Sequence, residues 1–361
     1  MKVGEQRVVT IEKIVYGGEG LGKLEENMVV FVPFSAPGDK LRIVIQEIKK
    51  GYLRATLKEI LEAGKGRINP PCPYYGLCGG CSYQHLDYET ELSIKEDQLK
   101  EIFFGFLKEY PSLVEKIIPS PFPYGYRNRV SLHNRNGRVG FYARGSSRVI
   151  PIKSCLIASE QVNKLLAKKS YGSKNRFSGG IKHFSIREPS IPSTGFYQVN
   201  RFLLGKLKEV VSTLIGTDVP FIIEGYCGAG FFTEQLSKNA QLIYAIETNP
   251  KSLEEAKKLG LKNVFFIEGK IEDKIADCLL RLGSSKAAYL FDPPKEGLSK
   301  ALILWLIDHP LSKLVYVSCN PLTLKRDILK LEKSYVLKKI VPVDLFPRTP
   351  EIESAAVLVP R

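Results

Sequence analysis

From about Tyr197 onward, short apolar runs alternate with amphipathic stretches of helical period, and this alternation limits the possible folds more than any other feature of the chain. Runs at Phe221–Cys227, Leu242–Thr248, Asn263–Gly269, Ala287–Pro293 and Lys313–Asn320, each followed by a helical pattern, predict a doubly wound α/β sheet. Two more runs, Val336–Leu345 and Glu353–Val359, have no helix between them and predict an antiparallel edge hairpin. Ligands of such sheets bind outside the carboxyl ends of the parallel strands. Gly228 in YCGAG, Glu247 in AIETNP, Asp292 in FDPPKEG and Cys319 in VSCNP all fall there. Glu353 opens the last strand, and an antiparallel course puts that opening at the same edge.

A glycine turn between strand and helix lets a ligand approach the backbone at a helix N-terminus. Here a single G-x-G stands without a third glycine at dinucleotide spacing, which favours S-adenosylmethionine over NAD. Glu247 follows at the position where, about 20 residues on, an acid holds a ribose diol. Pro293 and Pro294 stop their strand directly after Asp292 and are expected to aim it into the crevice. A thiol, a carboxyl group and a sulfonium cofactor thus meet at one edge.

The chain carries a net charge of +15, and the excess sits in one place. Tyr126–Arg187 holds 14 Lys and Arg against a single acid, Glu160, while the remainder is nearly balanced. Tyr126, Phe141, Tyr142, Phe177 and Phe184 lie among these cations. Forked donors mixed with aromatic faces are what single-stranded RNA recognition needs. No apolar run reaches the ~18–20 residues of a membrane span, and the N-terminus lacks the apolar core of a secretory signal. A soluble, cytoplasmic, monomeric protein with RNA as partner is the expectation.

Residues 1–60 read as a small β-barrel, with strands near Val8–Val15, Met28–Pro33, Lys40–Ile48 and Leu53–Glu59 and with Gly17, Gly18, Gly20 and Gly22 as turns. IEKIVYGGEGLGK followed by VFVPFSAPGDKLRIVI resembles a TRAM domain, an RNA-binding barrel. Residues 61–196 form a central RNA-binding region, with one amphipathic helix (Leu92, Leu99, Ile102, Phe103 and Phe106 on one face) and otherwise irregular strands. Residues 197–361 form the α/β domain. In the central region Cys72, Cys78 and Cys81 form C-x5-C-x2-C, and Cys155 follows far downstream. Four thiolates satisfy either zinc or a [4Fe–4S] cluster, and the absence of paired C-x2-C knuckles leans toward iron–sulfur. His85 is read as structural or RNA-contacting, and Cys227 and Cys278 as structural.

FYQVN, YCGAG, DPPKEG, SCNPLTLKRDI and the terminal Glu353-Ser354, together with the barrel and the cysteines, resemble the RNA uracil-5-methyltransferase family, nearest its ribosomal RNA branch. The resemblance implies a class I (Rossmann-like) methyltransferase domain beside the barrel and an iron–sulfur domain. It implies Cys319 as nucleophile and Glu353 as general base. It also implies Gln198, Tyr226, Glu247 and Asp292 as binding S-adenosylmethionine, and a [4Fe–4S] cluster on the four cysteines. The chemistry is consistent with these types. A thiolate added at C6 makes uracil C5 nucleophilic, and a base must then remove the C5 proton. Cytosine-5 relatives carry a Cys beside the strand-four prolines, and DPPK has none, which favours uracil. Three positions depart from the family's pattern: Glu351 where His is usual, Phe231 where Asn is, and Glu224 where Asp is. A second acid at Glu351 is expected to raise the pKa of Glu353 or to share its role. An active enzyme forming 5-methyluridine in 23S ribosomal RNA is expected. The alternatives are tRNA as substrate and an RNA-binding iron–sulfur protein without activity.

Overall fold

Alternation of buried and exposed residues closes the N-terminal strands on themselves. In the computed structural model β1 (Gln6–Val15), β2 (Glu19–Lys23), β3 (Val29–Pro33), β4 (Lys40–Lys49) and β5 (Tyr52–Glu62) form a closed barrel in the order β1-β2-β3-β5-β4. Val30, Val32, Leu41, Ile43, Ile45 and Leu53 fill its interior with no exposed surface. The structure describes all residues except 110–111, 136–137, 173–181, 192–197 and 284–285. Phe177 of the basic stretch and Phe196 and Tyr197 of FYQVN lie outside the described residues.

The barrel corrects one expectation. Gly17 and Gly18, with φ of 102° and 86°, make a turn, but Gly20 and Gly22 lie inside strand β2. They are glycines for lack of room: a Cβ on Gly20 would stand 1.9 Å from Ser35 Oγ, and one on Gly22 2.6 Å from Thr10 O. Close packing, not turn geometry, selects them.

Helix α1 (Tyr88–Ile102) and α2 (Phe104–Glu109) follow. The buried face of α1 holds Glu91, Ile94, Lys95, Gln98 and Leu99, while Leu92 and Ile102 are only half-buried. The predicted stripe is shifted because two charged residues are held inside. Lys95 Nζ lies 2.9 Å from Glu91 Oε1, and Glu91 Oε2 lies 3.2 Å from Arg348 Nη1.

The central region is more regular than its sequence suggests. Strands β6 (Arg129–Arg135), β7 (Arg138–Tyr142), β8 (Val149–Pro151) and β9 (Lys182–Arg187) form an antiparallel sheet ordered β8-β7-β6-β9. Val162 and Leu166 of α3 (Glu160–Gly172) pack on Val130, Leu132, Val139 and Ile186. Helix α3 escaped notice because charged residues surround its two core positions.

The α/β portion runs α4 (Leu204–Ile215), β10 (Phe221–Gly225), α5 (Thr233–Leu236), β11 (Leu242–Glu247), α6 (Pro250–Lys257), β12 (Val264–Glu268) and α7 (Ile271–Leu282), then β13 (Ala287–Phe291), α8 (Lys300–Asp308), β14 (Lys313–Ser318), α9 (Pro321–Leu331), β15 (Tyr335–Val343) and β16 (Glu353–Pro360). Its sheet is ordered β12-β11-β10-β13-β14-β16-β15, parallel through β14, with β16 antiparallel to both neighbours. The expected hairpin is present, and its second strand enters the sheet beside β14. Every side chain of β13 is buried, as a strand covered on both faces requires. Asn249, Ser299 and Asn320 cap α6, α8 and α9 through their side chains, fixing where each helix leaves the loop above its strand.

Two compact units emerge. One comprises Met1–Gln98, Pro121–Glu188 and Phe346–Glu351, the other Leu99–Ser120, Pro189–Leu345 and Ile352–Arg361. Among the described residues no helix is long and apolar enough to cross a membrane.

Candidate active site and cysteine-lined cavity

In the second unit the chain moves outward from β10 to β11 and β12, then returns to β13 on β10's other side. A crevice opens at such a reversal. The glycine turn sits there, with Tyr226, Gly228 and Gly230 at φ of 62°, 57° and 83°. The Gly228 N–H donates to Glu247 Oε2 at 3.0 Å, and the Asn249 N–H donates to Oε1 at 2.8 Å, so the carboxylate is locked at the end of β11. At the end of β13, Asp292 Oδ2 accepts from Gln198 Nε2 at 3.3 Å. The Tyr226 ring meets Phe291 edge-on at 6.4 Å. The predicted cofactor residues Gln198, Tyr226, Glu247 and Asp292 therefore belong to one edge. A fixed carboxylate beside a close-approach turn fits a ribose diol.

Cys319 directly follows β14, and Glu353 opens β16 opposite Val343. The pairing of Ser318 with Ser354 makes the two candidates immediate outward neighbours of a cross-strand pair. Glu353 is 2% exposed, and its Oε1 has no hydrogen-bond partner among the described residues. Burial raises its carboxyl well above the usual range; Asp292 adds to this and Lys295 opposes it. Burial pushes the Cys319 thiol up to about 12, with Glu353 and Asp292 adding and Lys295 opposing. Asp292 itself is pushed up to about 7 by burial against the bond from Gln198.

Lys295, which sequence reasoning passed over, now matters, and so does Glu224, marked there only as a departure. Lys295 opposes the upward shift of both Cys319 and Glu353, and its signal lay in the DPPK string. Glu224 is 2% exposed, accepts from Thr233 Oγ1 at 2.6 Å, and is pushed by burial up to about 8. Of the other departures, Phe231 packs edge-on against Phe232 and lies under the Lys208 ammonium at 4.9 Å. An acid that acts on Glu353 is Asp292. Glu351, the acid expected in that role, lines a cavity of the first unit.

That cavity, of about 420 Å³, is lined by Cys72, Cys78, Cys81 and Cys155. Asn163 clamps Cys155, accepting from its N–H at 2.8 Å and donating to its carbonyl at 3.0 Å. The Gly79 N–H donates to Tyr142 O at 2.9 Å, tying the cysteine loop to β7. Ser82 and Tyr83 donate to Arg348 O at 2.8 and 3.2 Å. Burial raises Cys81 to about 12 and Cys155 to about 11, with neighbouring thiols adding to both. Among the described residues no group of three or more Cys, His, Asp or Glu is placed to hold a metal ion. His85 bonds Tyr75 Oη at 2.6 Å and Ser35 O at 2.9 Å, and burial lowers it to about 4, as a structural histidine. Cys227 and Cys278 are buried.

Comparison with known proteins adds the following. Residues 1–58 match the TRAM domain family, and residues 279–361 match the tRNA (uracil-5-)-methyltransferase family. An uncharacterized RNA methyltransferase of Bdellovibrio bacteriovorus is 31% identical, over 99% of this chain and 95% of that protein. Another, of Aquifex aeolicus, is 30% identical over 97% of each. Among solved structures, the Pyrococcus abyssi tRNA (uracil-54, C5)-methyltransferase in complex with S-adenosyl-L-homocysteine is 22% identical. It aligns with a TM-score of 0.66 over 97% of this chain and 100% of that one, so the two share a fold.

Proposed function

This chain belongs to the RNA (uracil-5-)-methyltransferase family, and we propose that it forms 5-methyluridine in 23S ribosomal RNA with Cys319 as nucleophile and Glu353 as general base. One observation carries the reading: a thiol and a buried carboxyl, whose Oε1 has no hydrogen-bond partner among the described residues, stand at one sheet edge, and the carboxyl raises the pKa of the thiol. The Cys319 sulfur adds to C6 of the uracil, moving the electron pair of the C5=C6 bond into an enolate that makes C5 nucleophilic. S-adenosylmethionine, when bound, supplies the electrophilic methyl group and a positive charge. The Glu353 carboxylate then takes the C5 proton, the C5=C6 bond re-forms, and the sulfur leaves C6. Lys295 favours the thiolate and the carboxylate that these steps require. Gln198 and Asp292 hold each other in place, and Glu247 and the backbone after Tyr226 shape the bed of the cofactor.

Cys72, Cys78, Cys81 and Cys155 would hold a [4Fe–4S] cluster. The support is a donor set of four thiols lining a single cavity. Held there, a cluster would tie the loop of the first three cysteines to Cys155. We take 61–196 as the RNA-binding domain between the TRAM barrel (1–60) and the methyltransferase domain (197–361). The barrel combined with the cysteines supports ribosomal RNA. A second reading, tRNA, draws support from the matched family's name and from the substrate of the Pyrococcus abyssi enzyme. Methyl transfer from labelled S-adenosylmethionine to unmodified large-subunit rRNA and, in parallel, to unmodified tRNA separates them. Label as 5-methyluridine in rRNA is the expected result; label in tRNA alone moves the substrate, and label in neither overturns the activity.

A further inference from the structure

We propose that the outer face of the sheet β8-β7-β6-β9 is a platform for a single-stranded stretch of the RNA substrate, built from Arg129, His133, Tyr142 and His183; it rests on the RNA-methylating reading above. Strand alternation places the platform. Val130, Leu132 and Ile186 point into the core with α3, so Arg129, Ser131 and His133 of β6 and His183, Ser185 and Arg187 of β9 share the opposite face. The register sets Arg129 opposite Arg187, Ser131 opposite Ser185 and His133 opposite His183. Like charges directly opposed across a ladder weaken a sheet, and an anion between them relieves the cost. Burial, together with the Arg187 and Arg127 charges, lowers the pKa of Arg129.

The guanidinium groups of β6 are fixed by neutral acceptors. Arg129 donates to Ser185 Oγ at 3.2 Å, and Arg135 donates to Ser147 O and Oγ at 3.3 and 3.2 Å. These bonds orient the cations without cancelling their charge. The single acid of Tyr126–Arg187, Glu160, pairs with Lys164 on α3 at 2.6 Å. Beside the cations lie the rings. His133 stacks on Tyr142 with centroids 3.6 Å apart and planes 18° from parallel, and His183, exposed, stands 5.1 Å from His133. A sheet face with rings for bases and fixed cations for phosphates takes an unpaired strand, since a duplex keeps its base faces covered.

The test is binding of fluorescein-labelled oligouridylate, single-stranded or annealed to oligoadenylate, to the full chain across a salt series. Methyl transfer to unmodified rRNA and tRNA is measured alongside. Tyr142→Ala is expected to weaken single-strand binding about fivefold to a hundredfold. Arg129→Gln should flatten the slope of log affinity against log salt by about 0.7, one phosphate contact. His183→Glu, at an exposed position that tolerates exchange, should also weaken binding, and S-adenosylmethionine affinity should hold in all three. Unchanged affinity and slope in variants of a chain that methylates RNA overturn the platform alone, as does tighter binding of the duplex. Failure of the unaltered chain to methylate either RNA overturns the reading beneath it.

Discussion

The Lys295 ammonium favours the charged forms of Cys319 and Glu353 alike. Replacing it by Met keeps the length and removes the charge, so both groups ionise at higher pH. Lys295→Met is expected to lower kcat at pH 7 by about tenfold, the cost of one pKa unit, and Lys295→Arg, which keeps the charge, to retain most of it. An equal loss in both variants would contradict the electrostatic role. Glu224 titrates near 8 in the folded chain against 4.5 as a free side chain. Its raised pKa favours folding below 4.5, and the benefit is lost as pH rises through 8. Glu224→Gln holds no titrating proton to lose, so relative to wild type it should gain stability on the order of 4 kcal/mol between pH 5 and pH 9. Thermal melts of both proteins at the two pH values test this. The candidate nucleophile, base and cofactor acids were legible because each stands at a strand boundary marked by Gly or Pro. Lys295 and Glu224 were not, because their effects depend on burial and on neighbours distant in sequence.

Among the elements, the loop from β13 to α8 owes its shape to α9. Asp327 Oδ2 accepts from the Leu298 N–H and from Tyr316 Oη, each at 2.9 Å, and Lys295 O accepts from Thr323 Oγ1 at 3.1 Å and Asn320 Nδ2 at 3.3 Å. This bracing fixes the segment carrying Asp292 and Lys295 from behind. Asp327→Ala leaves a buried hydroxyl and amide unpaired, at about 1–3 kcal/mol each. It should lower Tm, and kcat should fall more than KM rises. The seven α/β strands could be read directly, since strand and helix periods alternate there and each turn is punctuated. Strand β2 could not: its glycines look like turn residues until Ser35 and Thr10 are seen pressing on them. The face of α1 was misread because Glu91 and Lys95, polar by type, are wholly buried as a pair completed by Arg348. Residues 257 positions apart complete that pair, and no local pattern announces it.

Across the whole molecule, charge and cysteine placement led to three expected domains, a barrel and a central region for RNA and an α/β domain for chemistry. The first unit gathers the barrel, the cysteine cavity and the basic sheet. The cysteine loop also anchors Phe346–Glu351 through the bonds from Ser82 and Tyr83 to Arg348 O. Cys81→Ser should therefore bleach any visible absorbance of the native protein and speed hydrogen exchange at the Ser82 and Tyr83 amides. Colourless native protein carrying stoichiometric zinc would contradict the iron–sulfur assignment. The central claim is addition of the Cys319 sulfur to C6 with removal of a C5 proton by Glu353. Fluorine at C5 cannot be removed as a proton, so the adduct cannot break down. The most direct measurement is incubation of the chain with 5-fluorouracil-substituted rRNA and S-adenosylmethionine, followed by denaturing electrophoresis. A covalent protein–RNA band that requires S-adenosylmethionine and is absent from Cys319→Ala is the predicted result; the same band in Cys319→Ala, or none from a wild-type chain that methylates ordinary RNA, would contradict it.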